Sequence, residues 1–263
     1  MNKDLIDNPA LWRLGLVIGS GGIDVLAHRV VGEAPSVQGR LPYDAAASSA
    51  AAAVEEVVYA NPMLLLPFRT TDIVLRTPRN MIVPHGCDCE DACSLLGYDN
   101  TIMLCDEIDS RHDIMYAADR SVHNFLGRTF DARPQHALGI TARYYSRPAR
   151  RSNTARMYIE IADGIMEVLV LDNIGPRAAA TYACDDTETQ AYYALSVFTA
   201  TGLDPHTDQI YIAGPAEARR ELCRRLSTFV AGVMPAILPA GLYRGDTAAL
   251  AAPLPLLLMP LCE

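Results

Sequence analysis

The sequence lacks an apolar run long enough to cross a membrane. Its longest apolar tract covers residues 247–262, where Pro253, Pro255 and Pro260 interrupt it. A bilayer-spanning helix needs ~20 apolar residues, and internal prolines break it. The N-terminal residues 1–13 mix acids and bases without an apolar centre, which is not the pattern of a secretory signal. We therefore expect a cytoplasmic protein without membrane insertion, with residues 247–262 forming a buried terminal strand or an extended tail packed on the core.

Positive charge is also scarce. Lysine and arginine number 22 against 31 aspartates and glutamates, which gives a formal net charge of -9. A chain with this excess of negative charge repels phosphate backbones and anionic lipid surfaces. The balance therefore argues against general nucleic-acid binding and against attachment to anionic membranes.

Signatures of nucleophilic enzymes and of disulfide frameworks are missing. Cysteines number seven, an odd count in a chain without an export signal, so we expect reduced and mostly buried thiols. No G-x-S-x-G sequence occurs, and Ser20 in its glycine-rich run joins strand to strand rather than strand to helix. The histidines at positions 112, 123, 136 and 206 have no recognisable partner. We therefore predict no catalytic residue.

What the sequence does contain is ample core material. Half of its 263 residues are hydrophobic, and no low-complexity tract or long linker divides them. The clearest pattern lies in residues 157–225, where Asp163-Gly164 between two strand-like runs predicts a tight hairpin. The expected elements are strands at 157–161, 165–171 and 177–183, a helix capped by Asp185 or Asp186 and ending at Gly202, a strand at 209–213 and an amphipathic helix at 217–229.

The first sixty residues repeat this order. Strands are expected at 11–18, 23–31 and 36–41, followed by an alanine-rich helix capped by Asp44 and ended by Asn61-Pro62. Further expected elements are paired strands at 72–75 and 81–83, a helix at 90–96, strands at 101–105 and 113–116, a helix after Asp119, and a segment at 136–145 that fits either strand or helix. A basic, turn-rich segment around Pro148 suggests a boundary between residues 1–150 and residues 151–263.

The β-β-β-α-β-α order of residues 157–225 resembles the second half of actin-like ATPase domains, which have a ribonuclease-H-like fold. More closely, YACDDTETQAYYALSVFTATGL at residues 182–203 and the later IYIAG resemble a bacterial family of uncharacterised proteins with an actin-like fold. The resemblance implies an α/β protein with two ribonuclease-H-like halves. Each half would contain a β-β-β-α-β-type mixed sheet flanked by helices. The topological repeat in the first half supports the same fold.

The resemblance also implies where a nucleotide would bind. ATP with magnesium would lie in the cleft between the halves, against two hairpins that face one another. The candidate cofactor-binding residues are Gly19, Ser20, Gly21, Gly22, Glu160, Asp163, Gly164 and Gly214. The aspartate that such ATPases place before the first turn is replaced here by Gly19. In addition, Gly214 is a single glycine where the adenosine motif has two. The structural alternative is that these residues only form tight turns.

A separate stretch contains four soft metal ligands, His85, Cys87, Cys89 and Cys93. Zinc accepts such a set, although the usual pair of C-x₂-C sequences is absent. Cysteine also packs as a small hydrophobic residue, and this alternative predicts no metal.

Three functions remain open from the sequence. The first is an interaction or scaffold protein that has lost ATP hydrolysis and binds an unidentified protein partner. The second is an ATP-binding protein or ATPase that uses the cleft, and the third is a zinc-binding module at residues 85–93.

Overall fold

The chain folds into three β-sheets and surrounding helices. This computed structural model describes residues 5–31, 34–88, 95–96, 100–149, 151–162, 164–238, 243 and 246–262. The strands are β1 (Trp12–Ile18), β2 (Gly22–Arg29), β3 (Val37–Pro42), β4 (Thr70–Leu75), β5 (Asn80–Pro84), β6 (Thr101–Asp109), β7 (His112–Asp119), β8 (Gln135–His136), β9 (Arg156–Ala162), β10 (Ile165–Leu171), β11 (Pro176–Ala183), β12 (Gln209–Ala213) and β13 (Gly232–Pro235). The helices are α1 (Ala50–Ala60), α2 (Arg120–Phe130), α3 (Ala137–Ala149), α4 (Thr187–Ala200), α5 (Ala216–Leu226) and α6 (Leu254–Leu258).

The first sheet has the order β3-β2-β1-β4-β8, with β1 antiparallel to β2 and parallel to β4. Every residue of β1 is buried, because the sheet is covered on both faces. Alternate residues of its strands, such as Leu14, Leu16 and Ile18, belong to a core cluster shared with α1 and α2. The predicted β-β-β-α order of the first sixty residues is therefore present.

The helix in this unit begins later than the sequence suggested. Ser49, not Asp44, is the N-cap of α1, and its hydroxyl accepts a hydrogen bond from the backbone N–H of Ala52. Asp44 instead accepts from the N–H of Ala46 two residues ahead, which stabilises a turn before the helix. Short polar side chains form such local bonds in competition with helix, so the alanine-rich run alone did not fix the start.

A separate three-stranded sheet has the order β5-β7-β6. The prediction that residues 72–75 and 81–83 pair with each other is wrong. The first range belongs to β4, which pairs with β1, and the second belongs to β5, which pairs with β7. The segment between them joins two sheets instead of two strands of one hairpin. The helix predicted at residues 90–96 falls largely outside the described residues.

The second half repeats the frame of the first sheet with the order β11-β10-β9-β12-β13. Strands β9, β10 and β11 form an antiparallel meander, and β12 lies parallel to β9. Asp186 caps α4 by accepting from the N–H of Thr189, and Gly202 follows the end of the helix at a φ of 69°. The outer face of this sheet is covered by α4 and α5. The predicted element order β-β-β-α-β-α is confirmed here.

Two helices lie between the sheets and join them into one core. The ring of Tyr145 in α3 stacks on Tyr158 of β9 with a centroid distance of 3.9 Å. Helix α6 packs on the first sheet, where a Cβ added to Gly15 would lie 2.9 Å from a methyl carbon of Leu256. The same core cluster includes Leu171 of the second sheet. The inner faces of both sheets are therefore buried against α3 and α6.

The C-terminal tract packs on the core as expected, but it is helical and neither a strand nor an extended tail. Pro253 is the N-cap of α6 and Pro255 lies in the first turn. A proline is tolerated there because the first N–H groups of a helix have no partner within it. No helix in the described part of the chain is long and apolar enough to span a membrane.

Candidate functional site

The inner faces of the two sheets meet at a buried charge cluster of Arg76, Glu160 and Glu167. Arg76 follows the last residue of β4, while Glu160 and Glu167 are directly paired neighbours on β9 and β10. The Nη2 atom of Arg76 lies 2.9 Å from Oε2 of Glu160, and its Nε donates to Oε2 of Glu167 at 2.8 Å. The three side chains are only 4%, 7% and 2% exposed. Arg76 of the first half therefore forms buried ion pairs with two glutamates of the second half.

Both oxygens of the Glu160 carboxylate are engaged in this cluster. Its Oε1 accepts a hydrogen bond of 2.9 Å from the backbone N–H of Leu254, at the start of α6. Its Oε2 faces Arg76. The carboxylate thus links the first half, the second half and the C-terminal helix. A metal ion or a water molecule would have to displace one of these partners to reach it.

The cluster also alters the proton binding of Glu167. Burial and the neighbouring Glu160 carboxylate raise the pKa of Glu167 to about 7, against the opposing effect of Arg76. A low-polarity environment disfavours a charge without a counter-charge. Arg76 can neutralise one carboxylate, so the second carboxyl group is favoured in its neutral, protonated form.

The first hairpin has no acid at the matching inward position. Side chains alternate between the two faces of a strand, and Val17 is the last residue of β1 that joins the core between the sheets. Gly19, which the sequence comparison put in the place of the aspartate, lies in the turn itself, where its N–H bonds to the carbonyl of Gly22. Val17 therefore occupies the inward-facing position before the turn. Val17 provides no carboxylate, and the assignment of the aspartate's place to Gly19 stays a prediction.

The glycine turn of the first hairpin opens onto a cavity of about 650 Å³. Gly19, Ser20 and Gly21 line it together with the start of α1, the loop after β4 and the start of α2. We call this space the turn cavity. The residues that line it, as far as the structure describes the chain, all belong to the first half. Gly22 is packed against the backbone of Leu41, which leaves no space for a side chain.

Two of the predicted glycines of the second half have identifiable structural roles. Gly164 has a φ of 68°, and its carbonyl accepts from the N–H of Cys184 beyond β11. Gly214 has a φ of 122°, and a Cβ there would lie 2.5 Å from the carbonyl oxygen of Ile161. Asp163 lies outside the described residues. The predicted facing of the two hairpins across a nucleotide site stays a prediction.

The stretch with the four soft ligands is only partly described. The His85 ring nitrogen lies 2.9 Å from the carboxylate of Asp113, and this hydrogen bond raises the pKa of His85. Cys87 is exposed, contrary to the expectation of mostly buried thiols, while Cys184 is buried. Cys89 and Cys93 lie outside the described residues. No group of three potential metal ligands occurs in the described part of the chain.

Sequence reasoning identified Glu160 but missed Arg76, Glu167 and Val17. Arg76 follows a strand and Glu167 lies within one. Charged residues are common at both kinds of position on solvent-exposed strands, so the local sequence does not mark either residue as part of a buried cluster. The one available clue was the pairing of Glu160 with Glu167 across the predicted hairpin. Like charges placed directly opposite each other are destabilising unless a cation lies near both.

Comparisons with known proteins agree with this architecture. Residues 13–233 match the model of a protein family described as "Protein of unknown function (DUF3822)". None of the curated proteins compared with the chain matches it.

Two solved structures are similar over nearly the whole chain. A Bacteroides thetaiotaomicron protein with actin-like ATPase fold and unknown function is 17% identical, with a TM-score of 0.79 over 97% of each chain. A chain of the PilM–PilN type IV pilus biogenesis complex is 13% identical, with a TM-score of 0.60 over 97% of this chain and 99% of that one. Identities this low establish the fold alone. The predicted α/β actin-like fold is thereby confirmed.

Proposed function

The chain belongs to the DUF3822 family, and we propose that it is an actin-like protein that does not hydrolyse ATP and acts as an interaction or scaffold protein. The observation that supports this proposal is the buried cluster of Arg76, Glu160 and Glu167. It occupies the inner face of the second hairpin, where a nucleotide-dependent member of the fold would need a free carboxylate.

Phosphoryl transfer depends on positioning and charge stabilisation, with magnesium and a correctly held water molecule. Magnesium binds one or two carboxylates and keeps several water molecules in its coordination shell. Glu160 is 7% exposed, its Oε1 accepts from the Leu254 N–H, and its Oε2 is paired with Arg76, whose guanidinium would repel a cation. Val17 offers no ligand from the opposite hairpin. The groups that would orient metal and water are therefore either missing or already engaged.

A role in binding a protein partner is consistent with the fold. One of the similar chains belongs to the PilM–PilN type IV pilus biogenesis complex, so an actin-like frame of this size occurs in a protein assembly. For this chain the partner is a proposal. Cross-linking in cells followed by mass spectrometry would identify a candidate, and a defined complex reconstituted from the two purified proteins would support the role.

The enzymatic part of the proposal is tested by phosphate release. We expect negligible turnover of Mg-ATP by the wild-type protein and by Glu160→Gln, which retains an oxygen acceptor for the Leu254 N–H. Melting of both proteins would establish that they are folded. Clear turnover by the wild type that disappears in Glu160→Gln would reject the non-hydrolysing assignment and favour the ATPase.

Nucleotide binding without hydrolysis is a second candidate function. It is favoured by the turn cavity, where residues 19–21 bring backbone groups beside the first turn of α1. A ligand at 100 times its dissociation constant adds ~2.7 kcal/mol to the free energy of unfolding. Thermal melting with and without Mg-ATP measures this effect, and an unchanged melting temperature at millimolar ATP would reject this candidate.

A further inference from the structure

A second cavity lies away from the buried charge cluster and from the turn cavity. It has a volume of about 760 Å³ and lies between strands β6 and β7, the C-terminal half of α3 and the end of the chain. We call it the α3 cavity. Its volume falls within the range of small-molecule sites, ~300–1,000 Å³. Its described lining residues are His85, Cys105, Asp106, Glu107, Ile108, Asp109, Asp113, Arg133, Gln135, Arg143, Ser146, Arg147 and Cys262.

Three of the acids in this lining already have partners in the fold. Asp106 accepts from the backbone N–H of His136 at 2.6 Å and lies 3.6 Å from Arg133. Asp113 accepts from the N–H of Gly86 and is paired with His85. Asp106 therefore lies beside the guanidinium of Arg133, and Asp113 has a cationic partner when His85 is protonated.

The third of these acids, Asp109, also has hydrogen-bond partners within the fold. Its Oδ1 accepts from the backbone N–H groups of Arg111 and His112 and lies 3.1 Å from the His112 ring. Glu107 is the remaining acid of the lining, and its side chain is exposed to solvent. One carboxylate of the lining is thus without an ion pair among the described residues.

Two arginines of α3 carry positive charge into the same cavity. Arg143 donates to neutral acceptors only, the carbonyl of Glu107 and the side-chain oxygen of Gln135, both at 2.9 Å. Arg147, one turn further along the helix, is exposed and makes no hydrogen bond or ion pair with any residue that the structure describes. Neither guanidinium forms an ion pair with a carboxylate among the described residues, so both can donate to an anion that enters the cavity.

Ser146 supplies an independent observation that points to a ligand. It is 3% exposed, it lines the cavity, and its Oγ has no hydrogen-bond partner among the described residues. A helical serine or threonine commonly satisfies its hydroxyl with the carbonyl four residues earlier. Thr141 does so in this same helix, by donating to the carbonyl of Ala137 at 3.1 Å. A buried hydroxyl without a hydrogen-bond partner costs stability unless a bound group supplies the missing hydrogen bond.

We propose that the α3 cavity binds a small organic or inorganic oxyanion, held by Arg143, Arg147 and the hydroxyl of Ser146. The shared chemistry is a carboxylate or phosphate group. Planar guanidinium donors fit both groups in two-point geometry, and the Ser146 hydroxyl donates to a further oxygen. The proposed anion site is distinct from the proposed nucleotide site, because no residue of the buried charge cluster is among the described residues that line the α3 cavity.

The test is isothermal titration calorimetry of the full chain at constant ionic strength, with inorganic phosphate and citrate as separate probes. We expect saturable binding of at least one probe. Binding of phosphate alone indicates a phosphate-bearing ligand, and binding of citrate alone indicates a carboxylate. Each of Arg143→Met and Arg147→Met should weaken the binding about tenfold or more, and Ser146→Ala roughly threefold to tenfold.

The matched control is Arg128→Met, which removes an exposed arginine of α2 that bonds only to the carbonyl of Asn124. Its affinity should equal that of the wild type. Arg147 is exposed and makes no hydrogen bond or ion pair with a described residue, so the Arg147→Met result stays interpretable, and melting checks the fold of each variant. Absence of saturable binding for both probes, or affinities that Arg143→Met and Arg147→Met leave unchanged, would overturn the proposal.

Discussion

The hairpins of the two halves share one topology, but their surroundings differ. In the first half, residues 19–21 of the turn border an open cavity of about 650 Å³. In the second half, the strands on either side of the turn carry Glu160 and Glu167, whose side chains are 7% and 2% exposed. Arg76 of the first half reaches both of them. The turn cavity is thus available to a ligand, whereas the inner face of the second hairpin is already occupied by a side chain of the protein.

This difference shows that a duplicated fold need not duplicate its chemistry. Strands β1 and β9 hold equivalent places in their sheets, but the last inward residue of β1 is Val17, whereas β9 carries an inward Glu160. A fold supplies positions, and side chains at a few of them decide the function. Here an arginine of the first half and two glutamates of the second form a buried charge cluster, which the first hairpin does not repeat. The following predictions test this contrast, from the largest expected effect to the smallest.

Replacing Arg76 should have the largest effect. Arg76→Met leaves Glu160 and Glu167 buried without their cation, and breaking a buried ion pair costs ~3–5 kcal/mol of unfolding free energy. Urea denaturation monitored by circular dichroism would measure the change. Arg220→Met, which removes an exposed arginine of α5, is the control and should alter stability little. Equal stabilities of the two variants would show that the charge cluster does not hold the halves together.

The second prediction tests how closely the turn after β12 packs against strand β9. Gly214→Ala adds a Cβ 2.5 Å from the carbonyl oxygen of Ile161 at a φ of 122°. Backbone strain and the clash together should cost ~2–4 kcal/mol. Gly202→Ala is the matched control, because its φ is also positive but no atom lies within 4 Å of the added Cβ. That variant should lose only ~1 kcal/mol, and a comparable loss in both variants would contradict close packing at Gly214.

The third prediction uses the raised pKa of Glu167. Because the folded pKa of about 7 exceeds the value of 4.5 for a free glutamate, the folded state binds this proton more tightly than the unfolded state. The resulting stabilisation is complete below pH ~4.5, declines as the pH rises towards 7, and is absent above it. Glu167→Gln keeps the neutral form at every pH. Its stability relative to the wild type should therefore rise between pH 5 and pH 8, by ~1–3 kcal/mol.

Denaturant unfolding at several pH values would measure this trend. Glu56→Gln, at an exposed position of α1, provides the control for removing one carboxyl group from the surface. If both variants show the same pH trend, the cluster does not shift the proton equilibrium of Glu167.

The smallest expected effect concerns the wall of the turn cavity. Ser49→Ala removes the hydroxyl that accepts from the Ala52 N–H, and loss of an N-cap typically costs ~0.5–2 kcal/mol. Ser48→Ala, the exposed neighbour, should be nearly neutral. Thermal melting distinguishes the two variants, and a Ser48→Ala loss as large as that of Ser49→Ala would contradict the assignment of the cap.

Much of the second half was predictable because its signals are local. The hairpin at Gly164, the cap at Asp186 and the helix end at Gly202 each depend on backbone geometry within a few residues. Strand Gln209–Ala213 was predicted with its observed bounds. The first half was less predictable. Both Asp44 and Ser49 are suited to cap the helix, and only Ser49 does so. In addition, β5 pairs with β7, a strand more than twenty residues away.

The sequence by itself determined the order of elements, the tight turns and, through its resemblance to an actin-like family, the fold. Only the tertiary structure decided the chemistry between the halves. Arg76 bonds to Glu167 across 91 residues, and Leu254 bonds to Glu160 across 94. Short-range patterns reflect hydrogen bonds and side-chain periodicity within one element, so they are readable along the chain. Which side chains meet when two sheet faces come together depends on how those sheets pack, and no spacing in the sequence records it.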